Sequence, residues 1–306
     1  MHLRSLSSYL KEKFHTKVYR LSLTCSSTCP NRDGTISYGG CAFCSQGGSG
    51  DFAEGKDFLN FPDFNIDEQI ERAKSRVNSK FPSSISPEQR KYIAYFQSFT
   101  STWGEQERLK AVFSKVISRP EILVLSIATR PDSISDDMIS FLAELNKKKS
   151  VWIELGLQTI HQKTADAMNR GYDIACFEEC YRKLKEKNLE VIVHVILGLP
   201  GETKEMMKES VSYLASLNPH LDGIKLQLLH ILEGTALASF YEKEKFHIMT
   251  MEEYCNLVVE CLKLLNPETV IHRMTGDGPK KNLIEPKWSG DKKRVLNYLN
   301  ALIEKS

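Results

Sequence analysis

Three cysteines with the spacing of metal ligands stand on a single predicted loop. Cys29, Cys41 and Cys44 lie in the run CPNRDGTISYGGCAFC, directly after the first apolar run of the chain. Three closely spaced thiolates suit an iron–sulfur cluster in which one iron lacks a protein ligand. An open coordination position on a metal is where a substrate or cofactor can bind and react. The alternative is a closed zinc site of four thiolates, because Cys25 stands four residues before Cys29.

The position of this loop favours the cluster over zinc. The loop follows the first strand of a strand–helix pattern, whereas structural zinc usually sits in a small two-knuckle ribbon. Cys25 falls at the end of the strand pattern, where a lone cysteine commonly packs as a small apolar residue. Phe43 lies between Cys41 and Cys44, where an aromatic ring can shield a cluster. The residues therefore favour a three-cysteine cluster, with zinc as the alternative.

The elements that position this loop follow a regular alternation. Stretches with apolar residues three and four apart separate six apolar, β-branched runs, at 18–25, 91–98, 122–129, 151–158, 191–198 and 223–232. Such alternation predicts βαβ units and a parallel sheet covered on both faces. Right-handed crossovers predict an α/β fold, either an open barrel or a doubly wound sheet. The segment after Pro267 is predicted to be an irregular C-terminal extension over the barrel mouth.

Composition sets the class of protein. The 306 residues, 41% apolar and 26% charged, predict a soluble globular chain with a sizeable core. No apolar run reaches the length of a membrane span, and no secretory signal is visible. We therefore expect a cytoplasmic protein whose eight cysteines are reduced thiols, some of them metal ligands.

The charge distribution bears on nucleic acid binding. The net charge of +2 does not by itself indicate such binding, but both ends of the chain are basic. Residues 1–32 carry six Lys or Arg against one acid, and residues 272–294 carry seven against three. If the ends meet, they form a patch that suits a phosphate backbone. The alternative is an ordinary solvated surface.

Polar residues cluster where the predicted strands end, which is where parallel α/β folds carry their chemistry. They are, in chain order, Gln97, Thr100, Arg130, Glu154, Gln158, Gly198, Gly201, Lys225 and His230. We expect them to gather at one face with the cysteine loop. Two other groups are predicted to belong to the core: His194, as a hydrogen-bonded histidine, and the pair Cys176 and Cys180, one helical turn apart.

The cysteine run, with an aromatic residue before its last cysteine, resembles the cluster loop of radical S-adenosylmethionine (SAM) enzymes. Its long first gap departs from the common CxxxCxxC spacing and resembles the branch that contains the Elongator catalytic subunit. Further segments, among them YFQSFTSTW, IATRPDSI, HVILGLPGET and KLQLLHILEGTALA, resemble the bacterial YtqA/YhcC-like group of that branch. The resemblance extends from about residue 15 to residue 300.

This resemblance implies a fold and two cofactors. The fold is a partial (β/α)6 TIM-like barrel over residues 18–266, between a basic segment (1–17) and the extension (267–306). Cys29, Cys41 and Cys44 hold a [4Fe-4S] cluster, and S-adenosyl-L-methionine chelates its open iron. An electron from a donor such as flavodoxin or ferredoxin splits the S–C5′ bond of SAM, and the 5′-deoxyadenosyl radical abstracts a hydrogen atom from the substrate.

The resemblance also suggests roles for the strand-end residues. The glycine-glycine-glutamate motif of many radical enzymes is absent, so Gln97 and Thr100, or backbone carbonyls beside them, would hold the amino group of SAM. The other roles are the ribose or amino group for Glu154 and Gln158, the adenine for Gly198 and Gly201, and the substrate for Arg130, Lys225 and His230. Each role has a structural alternative. Glu154 and Gln158 could be a buried hydrogen-bonded pair, Gly198 and Gly201 could form a tight turn between strand and helix, and Arg130 could form a structural ion pair.

The Elongator-like branch modifies the wobble uridine of tRNA. The resemblance therefore implies tRNA as a partner, with no membrane involved. The bacterial group suggests the carboxymethylaminomethyl-to-aminomethyl step at C5 of that uridine. The basic ends, with Trp288, are predicted to contact the anticodon stem. The alternatives are a radical SAM enzyme acting on a small molecule and a non-catalytic, zinc-bound RNA-binding module.

Overall fold

The computed structural model describes residues 3–48, 65–276, 278 and 280–306. Seven strands form one parallel sheet in the order β1-β2-β3-β4-β5-β6-β8, and β7 and β9 form a small antiparallel pair. The strands are β1 (Val18–Leu23), β2 (Lys91–Phe96), β3 (Ile122–Thr129), β4 (Ser150–Gln158), β5 (Glu190–Leu197), β6 (Gly223–Leu228), β7 (Ile231–Leu232), β8 (Val270–Arg273) and β9 (Leu283–Glu285).

Helices connect these strands and surround the curled sheet. They are α1 (Leu6–Phe14), α2 (Ile66–Val77), α3 (Gln106–Ser118), α4 (Asp136–Asn146), α5 (Gln162–Ala167), α6 (Ile174–Glu186), α7 (Lys204–Ala215), α8 (Ala236–Lys243), α9 (Met251–Leu264) and α10 (Lys292–Lys305). Several begin at a side chain that accepts a backbone N–H, as Asp173, Thr203 and Thr250 do. None of the helices in the described ranges is long and apolar enough to cross a membrane.

The predicted α/β barrel is confirmed, and the structure adds a strand to it. All six predicted strands are present, although β1 and β2 each end two residues earlier than expected and the predicted strand 223–232 is divided into β6 and β7. The segment predicted to be irregular contains β8, which pairs with β6, and α10, which buries Val295, Leu299 and Ile303 in the main core. A strand of four residues is too short to show a clear pattern. The predicted boundary at 266–267 stays a prediction.

One end of the barrel interior is closed by apolar side chains. Residues near the amino ends of the strands, Ile93, Val124, Trp152 and Ile192, form a buried cluster with Leu10 of α1. The backbone also joins α1 to the sheet, because the Ile271 N–H donates to the carbonyl of Arg4 at 2.9 Å. The first helix therefore covers the amino ends of the strands.

The basic residues of the two chain ends are spread over both ends of the barrel. Arg4 pairs with Glu268 at 2.9 Å and Lys13 with Glu190 at 2.5 Å, and both acids lie at or just before the amino end of a strand. Lys280 and Lys281 instead follow the carboxyl end of β8, in a short 3₁₀ helix joined to β9. The predicted single patch therefore does not unite Arg4 and Lys13 with Lys280 and Lys281.

Candidate active site

A cleft of about 240 Å³ opens at the carboxyl ends of the strands. Cys29, Cys41 and Cys44 all line it, so the fold brings the three predicted ligands to one space. The opposite walls come from the strands and the segments after them. The other lining residues important to the site are Arg32, Phe43, Phe99, Thr100, Arg130, Glu154, Gln158, Arg170, Tyr172, His194, His230 and Arg273.

Hydrogen bonds within the cysteine loop fix its shape. The backbone N–H of Arg32 donates to the carbonyl of Cys29 at 2.8 Å, and that of Cys44 to Cys41 at 2.9 Å. The Arg32 guanidinium donates to the carbonyls of Ser45, Gln46 and Cys44. The loop therefore folds around one arginine, which fixes the backbone from Cys44 to Gln46.

A second set of contacts anchors the loop to the segment after α5. Asn31 donates to the carbonyl of Asn169 and lies 3.6 Å from the Cys41 sulfur. In return, the Asn169 amide donates to the carbonyl of Gly40 at 2.9 Å. The Ala42 N–H donates to the carbonyl of Met168, also at 2.9 Å. The cysteine loop is thus held by hydrogen bonds to the segment after α5.

Cys25 points away from the cleft. Its sulfur lies 3.0 Å from the Ser27 hydroxyl and donates to the carbonyl of Ser101 at 3.3 Å, and burial raises the pKa of this thiol. In the ranges that the structure describes, no group of three or more His, Cys, Asp or Glu side chains is arranged to hold a single metal ion. The geometry therefore gives no support to a zinc site completed by Cys25.

The three remaining thiols fit an iron–sulfur cluster. A hydrogen bond from Cys44 and the charge of Arg130 outweigh burial and lower the pKa of the Cys41 thiol to about 7. Cys44, which donates that hydrogen bond and is buried, has its pKa raised. Thiolates are the species that ligate metals. Three soft donors on one wall of an open cleft match a cluster with one iron free for another ligand.

The other predicted site residues divide into two groups. Thr100, Arg130, Glu154, Gln158 and His230 line the cleft with the cysteines, whereas Gln97, Gly198, Gly201 and Lys225 are not among its lining residues. A Cβ on Gly198 would approach Met249 to 2.8 Å, so this glycine contacts the protein interior. Their roles toward SAM and the substrate stay predictions.

Arg130 and His230 already have partners within the protein. The guanidinium of Arg130 forms two hydrogen bonds to Asp132, at 2.9 and 2.6 Å, and lies 4.9 Å from the centre of the Tyr172 ring. The pairing with Asp132 raises the pKa of Arg130 despite burial. His230 Nε2 lies 3.0 Å from the Ser289 hydroxyl. The structure therefore contains the ion pair that was the alternative interpretation of Arg130.

Beneath the cleft, charged side chains fill the barrel interior around Glu154. This carboxylate is completely buried and accepts hydrogen bonds from Lys225, from His194 at 2.7 Å and from Ser126 at 2.8 Å. Burial opposes its ionisation, but Lys225 and His194 outweigh burial and hold its pKa well below the usual range. The side chain of Lys225 also lies 3.0 Å from the Tyr95 hydroxyl.

The comparison with protein families decides the identity of the fold. A family model described as "Radical SAM superfamily" matches residues 23–214, and one described as "Radical_SAM C-terminal domain" matches residues 221–305. This chain belongs to the radical SAM superfamily. Members of this superfamily in general use a [4Fe-4S] cluster and SAM.

Known relatives place this radical SAM protein more narrowly. The uncharacterized protein YtqA of Bacillus subtilis (strain 168) is 41% identical over 98% of this chain and 89% of its own length. The tRNA uridine(34) acetyltransferase of Methanocaldococcus infernus is 28% identical over 58% of this chain and 32% of its own length.

A solved structure shares the fold. The archaeal Methanocaldococcus infernus Elp3, with an N-terminal deletion, superimposes with a TM-score of 0.64 at 17% identity. The match covers 93% of this chain and 63% of that one. The predicted resemblance to the Elongator-like branch is confirmed.

Three arginines of the radical SAM cleft, Arg32, Arg170 and Arg273, were not predicted to be site residues. Arg170 is almost completely buried, and its guanidinium donates to the carbonyls of Leu157 at 2.7 Å, Thr159 at 2.6 Å and Tyr172 at 2.8 Å. It therefore ties the end of β4 to the segment before α6. A signal was available, because the charged and polar run Asn169–Arg170 precedes a glycine between two predicted helices.

Proposed function

We propose that this radical SAM enzyme modifies the wobble uridine of tRNA at C5, converting a carboxymethylaminomethyl group to an aminomethyl group. In this proposal Cys29, Cys41 and Cys44 hold a [4Fe-4S] cluster whose open iron binds SAM. The bound cluster and SAM would supply a 5′-deoxyadenosyl radical that takes a hydrogen atom from the carbon between the side-chain nitrogen and the carboxylate. Return of one electron to the cluster and addition of water would then break the C–N bond and release the two carbons as glyoxylate. The carrying observation is that the three thiols share one cleft with a cationic wall.

The residues of the chain would bind and orient SAM and the substrate. Thr100, Glu154 and Gln158 are proposed to contact SAM, because each lines the cleft in which the cysteines lie. Gly198 and Gly201, with φ of 96° and 82°, are proposed to shape the turn after β5 that borders the adenine. Gln97 stays a proposed support for the amino group.

The charges of the cleft suit a carboxylate on the substrate. Four arginines line it, Arg32, Arg130, Arg170 and Arg273, against one carboxylate among the described lining residues, Glu154. A guanidinium binds a carboxylate with paired hydrogen bonds. Arg130 and His230 are therefore proposed to face the carboxymethylamino side chain, and Lys225 is proposed to act through Glu154.

Two observations support tRNA as the substrate. The Methanocaldococcus infernus relative acts, by its name, on uridine 34 of tRNA. Lys280 and Lys281 are exposed and follow the cleft-lining Gly278 by two and three residues. Exposed lysines at the rim of an active site suit a phosphate backbone. A small flavodoxin or ferredoxin is proposed as electron donor, and the cytoplasm as the location.

Nucleoside analysis of bulk tRNA from a deletion strain tests the substrate. We expect the carboxymethylaminomethyl nucleoside to accumulate and the aminomethyl form to disappear. A plasmid with the wild-type gene should restore the profile, and the Cys44→Ala variant should not. An unchanged profile would reject the tRNA proposal. If the purified protein then still cleaved SAM, a small-molecule substrate would take its place.

A further inference from the structure

His194 holds a fixed orientation at the floor of the cleft. It lines the cleft from β5, and 15% of its side chain is exposed. Its Nε2 lies 2.7 Å from Glu154 Oε2. A carboxylate can only accept a hydrogen bond, so Nε2 must carry the hydrogen. In the neutral imidazole, this leaves Nδ1 as an acceptor.

The contacts around Glu154 hold its carboxylate in place, so its hydrogen bond with His194 is maintained. Glu154 is buried completely, with Lys225 on the same oxygen as His194 and Ser126 on the other oxygen at 2.8 Å. Arg20 stands 4.0 Å away. Rotating Glu154 would leave the buried Lys225 charge unpaired, which is costly in a protein interior. The His194 imidazole is therefore held in one orientation.

The second ring nitrogen of His194 is available as a hydrogen-bond acceptor. Its Nδ1 makes no hydrogen bond to any residue in the described part of the chain. Burial, with the nearby Lys225 charge, lowers the pKa of His194 to about 4, so the ring is neutral near pH 7. The arginine side chains that line the cleft are donors only. A ligand that carries an N–H hydrogen needs an acceptor, and His194 supplies a preoriented one.

We propose that His194 is a specificity-determining residue that accepts a hydrogen bond from a nitrogen on the substrate side chain, and that Glu154 is its positioning residue. This rests on the proposed function, in which the substrate carries an amine beside a carboxylate. The arginines would bind the carboxylate, and His194 would recognise the N–H. The cleft would then distinguish an amine-linked side chain from an ether-linked one.

The charged and titratable groups around His194 are consistent with a constant neutral ring. They are Glu154 on β4, Lys225 on β6, Arg273 and His272 on β8, Tyr95 on β2 and Arg20 on β1. Burial, with the charge of Arg20, lowers the pKa of His272 well below its usual range. The preference for an N–H should therefore stay constant between about pH 6 and pH 8.

The test compares two anticodon stem–loops. One carries a carboxymethylaminomethyl group at C5 of the wobble uridine, and the other a carboxymethoxymethyl group, in which oxygen replaces the N–H. Their dissociation constants are measured on the reconstituted holoenzyme with SAM bound. We expect the wild type to prefer the amine about tenfold or more, because the ether places an oxygen lone pair against Nδ1. In His194→Phe the ratio should fall to about one.

Further variants separate recognition from a merely structural role. Lys280→Ala should weaken both ligands equally and keep the ratio. The double variant Glu154→Gln, Lys225→Met removes both members of the central ion pair, so Lys225 is not left as a buried unpaired charge, and it should lower the ratio. His194→Phe should still cleave SAM without substrate, because His194 is not among the residues proposed to contact SAM.

Two outcomes would overturn the inference. If His194→Phe keeps the full amine preference while wild-type protein modifies the stem–loop, the inference fails and the proposed function stands. If neither stem–loop binds and the deletion strain has an unchanged tRNA profile, the proposed function fails and the inference with it. The ratio of the two dissociation constants in the wild-type protein is measured without any variant. If the wild type does not prefer the amine, the inference fails whether or not His194→Phe folds.

Discussion

The two ends of the barrel interior are built from the same strands but differ in chemistry. On β4 the inward side chains change from Trp152 to Glu154 to Gln158, and on β5 from Ile192 to His194 to Ile196. Two residues along a strand are only about 6.6 Å. Over two such steps along β5, from Ile192 to Ile196, the interior passes from an apolar cluster closed by α1, through a layer of paired charges, to an open cleft.

This contrast shows how stability and chemistry are separated in the fold. At the closed end, buried apolar surface stabilises the barrel and no ligand enters. At the open end, polar side chains are arranged for a ligand and contribute less to folding. The middle layer joins them, because Glu154 and Lys225 tolerate burial only as a pair. Substitutions at the open end should therefore affect chemistry, and those at the closed end stability.

The largest effect is expected at the cysteine loop. Cys44→Ala should abolish iron binding and the release of 5′-deoxyadenosine, because two thiolates do not hold the cluster. Iron content after anaerobic reconstitution and product analysis by liquid chromatography check this. Cys25→Ala is the matched control and should keep about four irons per chain, the content of one [4Fe-4S] cluster. Iron-free protein with one zinc that is lost in Cys25→Ala would contradict the assignment.

The second prediction compares Trp152, at the closed end of the barrel, with Trp103, at the open end. Trp152→Ala should lower the free energy of unfolding by about 3–5 kcal/mol, because a completely buried ring is removed from the closed end. Trp103→Ala should cost less, since this half-buried ring mainly donates to Asp33 of the cysteine loop at 2.8 Å. Urea unfolding gives both values. Equal losses would show that the two ends do not differ in stability.

The third prediction concerns acid. The His194 imidazole binds a proton below about pH 6.5 when unfolded, but only below about 4 when folded. The unfolded state therefore binds more protons in this window, and stability is lost as the pH falls. Between pH 7 and pH 4.5 we expect a loss of about 2 to 3 kcal/mol from His194. His194→Phe should lose correspondingly less, and an identical loss would reject a neutral buried imidazole.

The features that can be predicted from the sequence are those that depend on residues close together in the chain. Asn65 is a residue type that favours a helix start, and its side chain accepts the N–H groups of Asp67 and Glu68 at the start of α2. Strand–helix alternation predicted the parallel barrel, and with it the gathering of cysteines and strand-end residues at one face. Such features depend on residues within a few positions of each other, or on the general rule that parallel strands end at one edge.

Features made by distant residues escaped prediction. Glu154 and Lys225 are 71 positions apart, and the pattern of neither strand shows that they touch. His194 was predicted to be a hydrogen-bonded core residue, yet it also lines the cleft. β8 was missed because it is short and is recognised only beside β6. In each case the sequence does not show which distant side chains come into contact when the barrel closes.

The smallest effect is expected from substitutions of surface lysines, and these substitutions test which end of the barrel binds RNA. Lys280→Ala, Lys281→Ala should weaken binding of tRNA severalfold and make the slope of log affinity against log salt shallower by about one to two, because each phosphate contact releases counterions. The matched pair Lys11→Ala, Lys17→Ala lies at the amino ends, on and just after α1, and should change neither value. Filter binding across a salt series with the holoenzyme measures both. If the pair at the amino ends had the larger effect, RNA would bind the closed end of the barrel, and the cleft would have to receive a substrate other than the wobble uridine.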